Sequence, residues 1–141
     1  MTGFYRACEE LGVTVPNEYI GESKYYEPMS CRAATKKLLA LPERPTCIFF
    51  PDDYAYIGGG NAIQEAGLRI PEDISAVGYD GIHLAKMVSP KLTTWQQNTT
   101  ELGRIAVTQL VERIEHPRTT LPEQIEVQGR LLEGETVKRL S

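Results

Sequence analysis

Asp52 and Asp53 follow the apolar run at residues 46–50, and Asp80 follows the apolar run at 74–79. Two adjacent aspartates can work as a general acid and base, because the charge of one raises the pKa of the other. The same pair can instead cap a following helix through its free amides. Asp80 precedes Gly81, so its carboxylate can accept from a ligand or close an Asx turn. Tyr25 and Tyr26 stand side by side before a segment of helical periodicity, as rings able to stack on a ligand or to pack at the surface.

No nucleophile and base accompany these groups. His83 and His116 lie far from any Ser or Cys in a catalytic context, which makes them surface or capping histidines. Cys8, Cys31 and Cys47 are odd in number and form no C-x-x-C, arguing against a disulfide framework or a zinc site. Cys8 and Cys47 fall on apolar faces and are expected as buried, inert thiols. Gly58-Gly59-Gly60 lacks the Gly-Lys-Ser/Thr continuation of a phosphate loop, so close backbone packing is the expected reason for it. Nothing in the pattern calls for a metal or a cofactor.

The elements that must position these residues alternate along the chain. Phe4, Ala7, Cys8 and Leu11 predict a helix over 3–11 ended by Gly12; Ala33, Ala34, Leu38 and Leu41 predict one over 30–41 stopped by Pro42. Residues 46–50 predict a buried strand, 54–66 a helix closed by Gly67 and Pro71, and 74–79 and 92–96 two further strands. Asn98 and Glu101 form a capping-box pattern. Beyond it Leu102, Ile105, Ala106, Leu110 and Ile114 make one broad face that requires a partner surface. A last strand is expected over 125–132, with Gly129 as its bulge candidate. Strands spaced by helices predict an α/β fold: a doubly wound, mostly parallel sheet with helices on both faces. Ligands bind outside the carboxyl ends of such strands, where Asp52, Asp53 and Asp80 fall.

Composition narrows the classes. The chain has 141 residues, 41% of them hydrophobic, enough for one core without disulfide or metal staples. No apolar stretch approaches the roughly 20 residues that span a bilayer. The N-terminal residues lack the charged and apolar regions of a secretion signal, so a cytoplasmic protein is expected. With 15 Lys plus Arg against 19 Asp plus Glu, the net charge of −4 gives no basic patch for phosphate backbones.

Five strings in order carry a resemblance: RPTCIFFPDD at 44–53, Gly58 to Ala62 with QEAGL at 64–68, IPEDISAVGYD at 70–80, PKLTTWQQ at 90–97 and ELGR at 101–104. In this set the chain resembles the effector-binding core of the LacI/GalR family of bacterial transcription regulators, over nearly its whole length. The resemblance implies a periplasmic-binding-protein-like core of two subdomains, with residues 1–97 in the C-terminal one. Residues 98–116 would be a crossover and dimerisation helix belonging to the N-terminal subdomain, and 117–141 a return strand and tail. A DNA-binding headpiece, which alone would contact operator DNA, falls outside the resemblance. Implied ligand contacts are Asp52 and Asp80 as acceptors, Gln97 near the crossover, and Tyr26, or its neighbour Tyr25, as the stacking aromatic.

The chain departs from the family pattern at Gly81, at Tyr56 in place of a small residue, at Gly59-Gly60 and at Cys31 in place of glycine. These departures bear on which ligand is bound. The implied function is effector sensing by a dimeric repressor, with a small sugar-like or nucleobase-like ligand and no catalysis. A solute-binding protein of a transporter would share the fold, and a carboxylate-based sugar enzyme is a further alternative. A chain that keeps the crossover helix without the sheet it covers is expected to dimerise or exchange that helix.

Overall fold

The computed structural model describes residues 2–119 and 121–139. Among these described residues there are four α-helices, α1 (Thr2–Glu10), α2 (Pro28–Leu39), α3 (Asp53–Glu65) and α4 (Thr99–Glu115). Four strands, β1 (Cys47–Phe49), β2 (Ser75–Asp80), β3 (Thr93–Gln96) and β4 (Arg130–Leu132), form one sheet in the order β1-β2-β3-β4. The first three run parallel, and β4 is antiparallel to β3. This is the expected α/β class, with one antiparallel edge.

Local chemistry sets the helix ends. Pro28 opens α2 at a position where its missing N–H and fixed φ suit a first turn, two residues earlier than the apolar stripe suggests. Asp52 caps α3 by accepting from the Ala55 amide at 2.7 Å, and Gly67 at φ +75° follows its end. Asn98 caps α4 by accepting from the Glu101 amide, but the Glu101 carboxylate pairs with Arg104 rather than returning to the cap, so only half of the capping box forms.

The core lies between one sheet face and the packed pair α2 and α3. Ile48, Ala76, Phe50, Ala55 and Ile63 are buried there. The glycine run finds its reason in this layer. A Cβ on Gly58 would overlap the Pro28 carbonyl oxygen, and one on Gly59 would run into the Phe50 ring. Tyr56 is buried edge-on to Phe50, with ring centroids 5.7 Å apart, and its ring lies 3.3 Å from where a Gly60 Cβ would sit. The large residue at 56 and the small ones at 59 and 60 are thus one compensated volume.

The opposite sheet face is more open. Phe49, Tyr79, Trp95 and Leu131 are exposed on it, and Phe4 of α1 stacks on Phe49 at 6.2 Å. Cys47 therefore corrects its expectation: it sits on the edge strand with its side chain on this open face and is exposed, whereas Cys31 is buried and Cys8 half-buried. No residue of α4 is buried. Of its expected packing face, Ile105 is half-buried, Leu102 and Ala106 are exposed, and Leu110 and Ile114 are 60% and 69% exposed.

The expected strand over 125–132 shortens to Arg130–Leu132, because it pairs only with Thr94, Trp95 and Gln96. Gly129 faces the Trp95 indole so closely that no Cβ would fit. Beyond β4, the buried Thr136 ties the sheet. Its hydroxyl donates to the Ala76 carbonyl at 2.7 Å and accepts from the Thr93 amide at 2.9 Å, while its carbonyl takes the Ala76 amide.

Candidate functional site

Because β1, β2 and β3 are parallel, their carboxyl ends open on one edge of the sheet. Asp52 and Asp53 lie just past β1, Asp80 ends β2, and Gln97 follows β3. The loop before α2 brings Tyr26 to the same edge. The structure joins Tyr26, Asp80 and Gln97 directly: the Tyr26 hydroxyl donates to Asp80 Oδ2 at 3.2 Å, and Gln97 Nε2 donates to Asp80 Oδ1 at 2.6 Å. The Gln97 amide also donates to the Asp80 carbonyl at 3.2 Å.

The backbone at this point is unusual. Asp80 has φ +108° and Tyr26 φ +54°, values that non-glycine residues seldom adopt and that concentrate at ligand clamps. Gly81, at φ +67°, sits where a Cβ would collide with the Gln96 backbone. The glycine that departs from the family pattern is therefore required by the turn that aims Asp80.

Asp52 and Asp53 do not behave as a catalytic pair. Both are 1% exposed and point to different partners. Asp52 Oδ1 caps α3 and its Oδ2 accepts from the Tyr26 amide at 3.1 Å. Asp53 Oδ1 accepts from the Thr94 hydroxyl at 2.6 Å and Oδ2 from the Ile82 amide at 2.9 Å. The Asp53 pKa is raised by burial, a rise that the bonds from Thr94 and Ile82 offset only in part. With every oxygen of both carboxylates engaged, one aspartate anchors the tyrosine loop and the other anchors the turn after Asp80.

Tyr25 is 70% exposed and joins none of these contacts. Tyr54, which sequence reasoning passed over, meets Tyr26 edge-on with centroids 5.9 Å apart. Its signal was available, since Tyr54 stands in the first turn of α3, directly after the carboxyl end of β1. The Asp80 charge and hydrogen bond raise the Tyr26 phenol pKa above its usual 10.0. His83 is exposed at the start of a short 3-10 turn, and His116 is exposed directly after α4, in the surface and capping roles expected. Among the described residues no group of three His, Cys, Asp or Glu is placed to hold a metal ion, and no helix is long and apolar enough to cross a membrane.

What the edge offers is hydrogen bonding beside aromatic surface: a carboxylate, a carboxamide and two phenols.

Residues 1–137 match the model of the periplasmic binding protein-like domain family. The chain is 38% identical over 137 residues to the HTH-type transcriptional repressor PurR of Escherichia coli O139:H28 (strain E24377A / ETEC), covering 97% of this chain and 40% of PurR. It thus spans about two fifths of the length of the curated relatives it matches. Among solved structures, the transcriptional regulator CelR–cellobiose complex superposes with a TM-score of 0.86 at 26% identity, over 95% of this chain and 40% of that one. A LacI family transcriptional regulator from Enterococcus faecium with bound ribose gives 0.82 at 28% identity, over 99% of this chain and 50% of that one. The chain belongs to the periplasmic binding protein-like domain family.

Proposed function

We propose that this chain is the ligand-sensing and dimerisation part of a LacI-type transcriptional repressor, acting in the cytoplasm and without catalysis. The observation that carries this reading is Asp80, held at a left-handed φ at the carboxyl edge of the sheet with Tyr26 and Gln97 on its two oxygens. Asp80 and Gln97 contact the hydroxyls or amines of a small ligand, and Tyr26 supplies the stacking face. Asp52 serves the site by fixing the Tyr26 backbone. Ribose and cellobiose in the neighbouring regulators support a sugar as ligand.

The mechanism is linkage. A ligand held at this edge favours one arrangement of the core, and a dimer transmits that bias to a DNA-binding headpiece, which grips or releases an operator. The exposed apolar residues of α4 support a second copy of the chain as partner.

Calorimetric titration of the protein, as its gene encodes it, with D-ribose, cellobiose and hypoxanthine tests the reading. A hydrogen bond to a charged group contributes roughly 1.5–3 kcal/mol, so Asp80→Ala should weaken the ligand that binds by about tenfold or more. Unchanged affinity in Asp80→Ala, or no binding by the wild type across the panel, refutes it.

A further inference from the structure

Tyr26 is held at one end and free at the other. Its amide is fixed to Asp52 Oδ2 at 3.1 Å, and Asp52 is itself buried and locked to the start of α3. Its φ of +54° pins a backbone conformation that bulky side chains rarely take. The residue, by contrast, is 63% exposed, and its side chain meets the edge of the Tyr54 ring and Asp80.

The two bonds to Asp80 are unequal. Gln97 Nε2 sits 2.6 Å from Oδ1, at the short end for a charged acceptor, whereas the Tyr26 hydroxyl lies 3.2 Å from Oδ2. Hydroxyl donors to carboxylates usually sit at about 2.5–2.7 Å. The Tyr26 contact is therefore weak, solvent-facing and easily exchanged, on an oxygen that a ligand would seek.

We propose that the Tyr26 hydroxyl is a built-in competitor for the ligand's donor: a hydroxyl of a cyclic polyol replaces it on Asp80 Oδ2, and the released ring pivots on its pinned backbone to cover the polyol's apolar face. This deepens the ligand-site reading above and rests on it. The residue then sets specificity twice. A ligand must carry a donor able to outcompete a phenol, and a ring face beside that donor for Tyr26 to cover. Such self-capping also lowers apparent affinity by the fraction of molecules in which Oδ2 is free.

The raised phenol pKa agrees with this contact, since the Asp80 carboxylate opposes formation of a second negative charge beside it. Tyr26→Phe keeps the ring and removes the competitor, which makes it the decisive variant. It should bind D-ribose about three- to fivefold more tightly than wild type, by that removal of competition. Tyr26→Ala, lacking the covering ring, should bind more weakly than either.

Tyrosine 13Cζ NMR titration reads the contact without any ligand: Tyr26 should titrate above 10.0 in wild type and return toward it in Asp80→Asn. A Tyr26 midpoint unmoved by Asp80→Asn overturns the contact. An intact contact with equal or weaker ribose binding by Tyr26→Phe overturns the competitor role. An intact contact with no ribose binding by wild type or Tyr26→Phe overturns the proposal as it concerns cyclic polyols. Hypoxanthine binding that Asp80→Ala abolishes would then leave the ligand-site reading standing alone.

Discussion

Replacing Gly58 and Gly60 by alanine, one at a time, sets helix propensity against packing within a single helix. In an exposed helix interior, glycine to alanine stabilises by about 1 kcal/mol. At Gly58 the added Cβ would lie 2.5 Å from the Pro28 carbonyl carbon and 3.0 Å from its Cα, and closer still to its oxygen. Ordinary carbon contacts fall at about 3.5–4 Å, so the start of α2 must retreat by more than about 1 Å to clear the carbonyl oxygen. These are backbone atoms of the neighbouring helix, unable to rotate away, so the overpacking cost lies at the upper end of the usual range, about 3 kcal/mol. The net expectation is a loss of about 2 kcal/mol.

At Gly60 the nearest atoms are Tyr56 ring carbons at 3.3 Å, and a small tilt of that ring makes room. Gly60→Ala is accordingly expected to be neutral or to gain about 0.5 kcal/mol, propensity less a minor packing cost. Urea unfolding followed by far-UV circular dichroism measures both. The movement at Gly58 should also reach the site, because Pro28 lies two residues after Tyr26. A Gly58→Ala variant as stable as wild type would refute the close approach of α2 and α3. So would a Gly60→Ala variant that loses as much as Gly58→Ala.

Three further expectations concern other parts of the molecule. Asp53→Ala leaves the Ile82 amide and the Thr94 hydroxyl without their acceptor and should cost about 3 kcal/mol in urea unfolding; Asp53→Asn, able to accept from one and donate to the other, should cost clearly less. Arg69 bonds to the Asp73 side chain and holds its carboxyl down at about 2, against an ordinary 3.8. A depressed carboxyl contributes stability that is present above 3.8 and lost as pH falls toward 2; an NMR titration of Asp73 in Arg69→Gln should show its midpoint raised but still below 3.8, because the residue 69 amide continues to donate to it. Light scattering at micromolar concentration should give a mass above 15.8 kDa, reduced by Leu110→Glu on α4; a clean monomer that binds no hydrophobic dye would refute that helix as an interface.

Much of the framework was legible because its signals are local. Helix ends at Gly12, Asp52, Gly67 and Asn98 follow from capping groups within a few residues of the amides and carbonyls they serve. The apolar runs that became β1, β2 and β3 are bounded by turn residues, and Asp80 falls at a strand end by simple counting. Position in a strand also limits such reading. Apolar character alone could not show that Cys47 lies on an edge strand with an open face, or that β4 would be no longer than the segment of β3 it pairs with.

The pairing of Tyr26 with Asp80 joins residues 54 apart in sequence, and Thr136 reaches Ala76 across 60. Contacts at that range depend on how strands order themselves and how loops return, which no window of neighbouring residues encodes. The same holds for the division of labour among the aspartates. Asp52, Asp53 and Asp80 look alike as acidic residues at strand ends; burial and the direction of nearby donors make two of them anchors and leave the third at the open carboxyl edge of the sheet, bonded to Tyr26 and Gln97. Residue chemistry marked which strand ends would gather polar groups, and three-dimensional packing assigned each its contacts, because a carboxylate's role depends on which donors surround it.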